Sequence, residues 1–61
     1  MDQAKTGRLI RALRTKLGLT QLALAKQLGV SDKAVSKWER GLSLPDISML
    51  EQLARELDVS V

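Results

Sequence analysis

The sequence predicts an all-α fold, a compact four-helix domain, and three observations carry this. Apolar residues recur at helical spacing in four successive stretches. A glycine stands where each of the first three stretches ends: Gly18, Gly29 and Gly41. Short polar residues suited to capping, Thr20, Ser31 and Asp46, precede the last three.

The first helix is expected from about Lys5 to Leu17, with residues 1–4 a loose arm. Its core stripe is Leu9, Ile10, Leu13 and Leu17, and Arg8 and Arg11 face out. Arg14 falls inside the stripe, where a charge needs a partner or a route to water. Leu19 bridges to a second helix, Gln21 to Leu28, capped by Thr20. Leu22 lies on a side of that helix expected to be exposed. Gly29 leaves it in a left-handed conformation, and Ser31 caps a third helix over about Asp32 to Arg40. Leu44 is expected to tuck into the core. Asp46 caps a fourth helix whose stripe is Ile47, Leu50, Leu53, Ala54 and Leu57, with Met49 beside it. Asp58 stands where that helix should stop. Val59-Ser60-Val61 reads as the lead-in to a fifth helix, as in a domain cut from a longer regulator.

Sixty-one residues suffice for one small domain, spanning 1–61, near the lower limit of independent stability. There is no cysteine, hence no disulfide and no cysteine metal site, and no histidine, the commonest general base and metal ligand. No metal and no cofactor is expected. No apolar run approaches the roughly 18 to 20 residues that span a bilayer. Met1-Asp2-Gln3 lacks the basic and apolar regions of a signal peptide, so a cytoplasmic protein is expected. The net charge of +3 says less than its distribution. Up to Gly41 the acidic residues are Asp2, Asp32 and Glu39 alone, against nine lysines and arginines. After it Arg55 faces Asp46, Glu51, Glu56 and Asp58. A basic front and an acidic back suit docking on a polyanion in one orientation; ordinary solvated helix surface is the plainer account.

The stretch Gln21 to Arg40 organises the rest. At about 100° per residue, the helix after Ser31 turns Ala34, Val35 and Trp38 to one side. Asp32, Lys33, Ser36, Lys37 and Arg40 turn to the other, with Glu39 on the border. A short helix with an apolar back and an outward row of hydrogen-bonding side chains is what a DNA major groove admits. Trp38, the single aromatic residue, sits at core spacing and is not a base-stacking platform.

These twenty residues and their flanks resemble the helix-turn-helix of the Cro/repressor (XRE-like) family of DNA-binding domains. Leu24 and Ala25 match its core residue and the small residue at its helix crossing. Gly29 matches its turn glycine, and Val35 and Trp38 its two recognition-helix core positions. Leu19-Thr20-Gln21, Trp38-Glu39-Arg40-Gly41 and Leu44-Pro45 agree as well. Two residues depart from the pattern, Leu22 and Leu42, where the family commonly has polar ones.

The resemblance implies a repressor-like fold of five helices, the last missing here, and sequence-specific binding of double-stranded DNA in transcriptional regulation. Repression is expected ahead of activation. It implies a homodimer on a two-fold site, with the third helix in the major groove. Lys33 and Lys37 would then donate to guanine, and Asp32 would either accept from a cytosine amino group or stand only as a favourable charge at the helix N-terminus. Ser31 would meet phosphate or a thymine methyl, Arg40 would meet phosphate, and Ser36 would lie on the same face. Thr20 and Gln21 would stand at a phosphate, with Gln21 also bracing the recognition helix. The family has an ion pair at the positions of Arg14 and Glu39, which the helical wheel also turns toward each other. The rival reading is a helical protein-interaction module, such as an antitoxin or partner-binding bundle, which would use Leu22, Leu42 and the acidic rear. Catalysis finds no support: His, Cys and Tyr are absent and the carboxylates are scattered.

Overall fold

A computed structural model describes residues 2–57, and among them are four α-helices and no strand. They are α1 (Gln3–Lys16), α2 (Gln21–Leu28), α3 (Asp32–Glu39) and α4 (Ile47–Glu56). The expected stop at Asp58 and the lead-in Val59-Ser60-Val61 lie outside the described residues.

Each helix begins at a side chain that accepts from its otherwise unpaired first-turn N–H groups. Thr20 accepts from Ala23, Ser31 from Ala34, and Asp46 from Met49. Asp2 does the same for Ala4 and Lys5, so residues 2–4 of the expected loose arm are instead the start of α1. A carboxylate at the positive end of the helix dipole adds to this cap, and the first turn is packed, since Ala4 lies against Gly41.

Three helices end through one device. Gly29 donates to the Lys26 carbonyl and Val30 to that of Ala25, a closure that needs a left-handed residue at Gly29 (φ 72°). The same pair of bonds closes α1 at Gly18–Leu19 and α3 at Gly41–Leu42.

α3 packs against both α1 and α2, and α4 packs on α2. The core is Ile10, Leu24, Ala25, Leu28, Val35, Trp38, Leu53 and Leu57, flanked by Leu13, Leu19, Val30, Ala34 and Met49. Leu44 is half-buried and Pro45 buried. Three residues assigned to the core from periodicity are outside it: Leu9 is 58%, Leu17 48% and Ile47 79% exposed.

Gly7 explains the first of these. It is buried, and a Cβ there would clash with the Trp38 carbonyl oxygen and stand 2.9 Å from that of Glu39. The absent side chain lets α1 ride directly on the end of α3, so its buried line runs Gly7–Ile10–Arg14 and Leu9 turns away. Leu17 is the C-cap of α1, beyond its last helical turn. Ile47 opens α4, directly after the Asp46 cap, and Met49 is the first residue of that helix packed against the core.

Candidate nucleic-acid interface

The turn Gly29–Val30–Ser31 joins α2 to α3 and presents α3 with its apolar back inward. Val35 is fully buried and Trp38 6% exposed. On the outer face Ser31, Asp32, Lys33, Lys37 and Arg40 are exposed and Ser36 is half-buried. Arg40 folds along this face, its Nε donating to the Ser36 hydroxyl at 3.2 Å and, more weakly, to the Ser36 carbonyl at 3.4 Å. Lys33 near the start and Arg40 at the C-cap are separated by about 10 Å along the axis, at ~1.5 Å per residue.

The back of α3 is held by a polar network. Arg14 donates through Nε to Glu39 Oε2 at 2.6 Å and through Nη2 to Glu39 Oε1 at 3.0 Å. Its Nη1 donates to the Leu19 carbonyl at 2.7 Å. Gln21 Nε2 adds a bond to Glu39 Oε1 at 3.1 Å. The Arg14 side chain is 11% exposed and that of Glu39 3%. The two planar groups meet as a fork, which gives direction as well as attraction. Burial alone would push the Glu39 carboxyl up. Hydrogen bonds from Arg14 and Gln21, and the nearby charges of Arg14 and Arg11, outweigh it and leave the group below its ordinary range. The bond to Glu39 raises Arg14 in turn, against the opposing effect of burial.

One carboxylate on the last turn of α3 therefore joins α1 to the first residue of α2. Gln21 is brought beside the C-terminal end of α3, while Asp32 and Lys33 stand at the opposite end, next to the turn. Thr20, exposed, spends its hydroxyl oxygen on the cap of α2. Two residues that shape this arrangement escaped the reading of the sequence. Gly7 sets the depth at which α3 sits on α1, and the Leu19 carbonyl takes the third Arg14 donor. A glycine inside an otherwise helical pattern was the available signal for the first.

Residues 10–61 match the family profile described as Helix-turn-helix. The chain belongs to that family. As a helix-turn-helix protein it is 42% identical over 60 residues to repressor protein C2 of Salmonella phage P22, covering 98% of this chain and 28% of that one. It is 40% identical over 52 residues to the HTH-type transcriptional activator BcrR of Enterococcus faecalis, covering 85% of this chain and 26% of that one. The chain thus spans about a quarter of the length of these two relatives. Among solved structures, the P22 c2 repressor in complex with a synthetic operator superposes with a TM-score of 0.86 at 44% identity. That match covers 90% of this chain and 83% of the other. Among the described residues of this helix-turn-helix protein, no helix is long and apolar enough to cross a membrane.

Proposed function

We propose that this domain binds double-stranded DNA sequence-specifically, with α3 in the major groove and the N-terminus of α2 against the backbone. The observation that carries this is the two-sidedness of α3. Its back is anchored by Val35, Trp38 and the Glu39 fork, and its front is a row of exposed donors and acceptors. Similarity to a repressor solved on an operator supports the same reading.

In this account Lys33 and Lys37 donate to guanine O6 and N7, and Asp32 accepts from a cytosine amino group. Ser36 faces the groove between them. Ser31 meets the groove edge. Thr20, Gln21 and Arg40 meet phosphates, which fix register without reading sequence. Gln21 does so while bonded to Glu39, so backbone contact and recognition helix share one brace. Two copies on a two-fold site, with half-sites about one helical turn (~34 Å) apart, would give the affinity that one small domain lacks. Relatives of both regulatory signs share the domain. Repression is the simpler outcome, since occupancy of a promoter suffices for it.

Selection from a random duplex library, followed by salt titration of the winning site, tests the proposal. The expected result is an enriched motif with two-fold symmetry and affinity that falls steeply with salt. Failure to bind any duplex at low salt would instead favour the interaction-module reading.

A further inference from the structure

We propose that the outward face of α1, centred on Arg11 and Arg8, is a second seat for the DNA backbone, continuing the interface beyond the end of α3. The inference rests on the DNA-binding reading above and extends it to residues outside the helix-turn-helix.

Lys5, Arg8, Arg11 and Lys16 share one side of α1, within about 140° of the wheel. All four are exposed, and α1 contains no acidic residue. Among the described residues the ion pair is Arg14–Glu39, so none of the four has a carboxylate within bridging distance.

Their position relative to α3 follows from packing. Gly7 of α1 meets the carbonyls of Trp38 and Glu39, and Ala4 meets Gly41. On the wheel Arg11 falls between Gly7 and Ala4. It therefore stands at the seam where α3 ends, and its charge is felt by the Glu39 carboxyl. Arg8 lies about 60° further out. Arg40, the exposed C-cap of α3, borders the same seam. The three arginines make a basic ridge that leaves the reading face at the end of α3 and climbs onto α1.

A duplex seated on α3 carries its backbone past that end of the helix, because the major groove is about 12 Å wide. Flexible arginines on the ridge can then take phosphates, adding affinity without base preference. The acidic residues of α4, Glu51 and Glu56, belong to the helix that packs on α2.

The test compares wild type, Arg8→Gln/Arg11→Gln and Arg8→Lys/Arg11→Lys on the selected duplex across a salt series. Arg55→Glu on α4 removes the same two units of charge elsewhere. If two phosphate contacts are lost, the slope of log affinity against log salt falls by about 1.8. The affinity lost between 50 and 200 mM salt then shrinks by about twelvefold. The glutamine variant should show this with unchanged base preference, the lysine variant should keep most of the slope, and Arg55→Glu should keep all of it. An unchanged slope in the glutamine variant, or an equal drop in Arg55→Glu, overturns the inference and leaves the groove reading standing. Absence of wild-type binding to any duplex removes both.

Discussion

The two sides of the domain are held by different chemistry. Where α1 meets α3, contact is close and directional: a glycine against main-chain carbonyls, a forked arginine–carboxylate pair, and Gln21 closing the fork. Where α4 meets α2, the seam is apolar. Leu53, Ala54 and Leu57 are buried, and the side-chain hydrogen bonds of α4 stay within its own cap at Asp46. Apolar burial stabilises without fixing orientation, whereas a planar fork fixes both. The helix with the donor row is the one that carries the directional contacts.

The largest effect is expected at Gly7. Glycine to alanine inside a helix normally gains up to about 1 kcal/mol. Here the added methyl meets backbone, so Gly7→Ala should cost about 4 kcal/mol, above the usual ~1 to 3 for overpacking. With total stability at the low end of roughly 5 to 15 kcal/mol, that nearly unfolds the domain. A denaturant melt followed by Trp38 fluorescence measures it. A neutral result would mean that α1 and α3 are not in close contact.

Next comes the fork. Glu39→Ala leaves Arg14 buried without its partner and should cost about 3 kcal/mol, the lower end for broken buried pairs. Arg14→Met/Glu39→Leu should recover most of that loss. Should the double variant also keep wild-type DNA affinity, the fork would be mere glue and its positioning role would fall.

Acid titration sharpens the same point. The folded Glu39 carboxyl sits below its ordinary value. Its contribution is therefore complete above the unfolded carboxylate range, near pH 4.3 to 4.5, and lost as pH falls through the lower folded value. The melting temperature of wild type should owe none of its change between pH 7 and 5 to this group. Below that range wild type should lose stability faster than Glu39→Gln, and parallel curves would contradict the pairing.

The α4 side should respond to size alone. Leu53→Ala should cost about 2 kcal/mol, the low end for a buried leucine. Ile47→Ser, at a position 79% exposed, should stay within about 0.5 kcal/mol. Calorimetry of both variants checks the contrast. A large loss from Ile47→Ser would place that residue under cover in solution.

The difference between the two sides also explains what could be read from the sequence. Caps at Thr20, Ser31 and Asp46, and the glycine exits, were legible because each depends on a few neighbouring residues. The faces of α3 were legible because an eight-residue helix between two partners must divide into back and front. Leu9 lies outside the core because the buried line of α1 runs through Gly7, Ile10 and Arg14 and turns it away. The exposure of Ile47 was not legible because periodicity gives the direction of a stripe but not where its covering ends. Gly7 went unread because its importance lies in what another helix brings within 3 Å of it. For the residues on the front of α3, the sequence offers chemistry and facing direction. Which base each one meets is set by how a duplex seats on the domain, a relation between two molecules.

The most direct test of the central claim, that the front of α3 reads base sequence while its end grips backbone, pairs Lys33→Ala with Arg40→Ala. Each variant is titrated against the selected site and its single-base changes at several salt concentrations. Lys33→Ala should lose about 1 to 3 kcal/mol on the best site and relax preference at one base pair. Arg40→Ala should weaken all sites by similar factors and lower the salt slope by about one phosphate contact. Uniform weakening by Lys33→Ala, together with a changed base preference in Arg40→Ala, would contradict this seating of the helix.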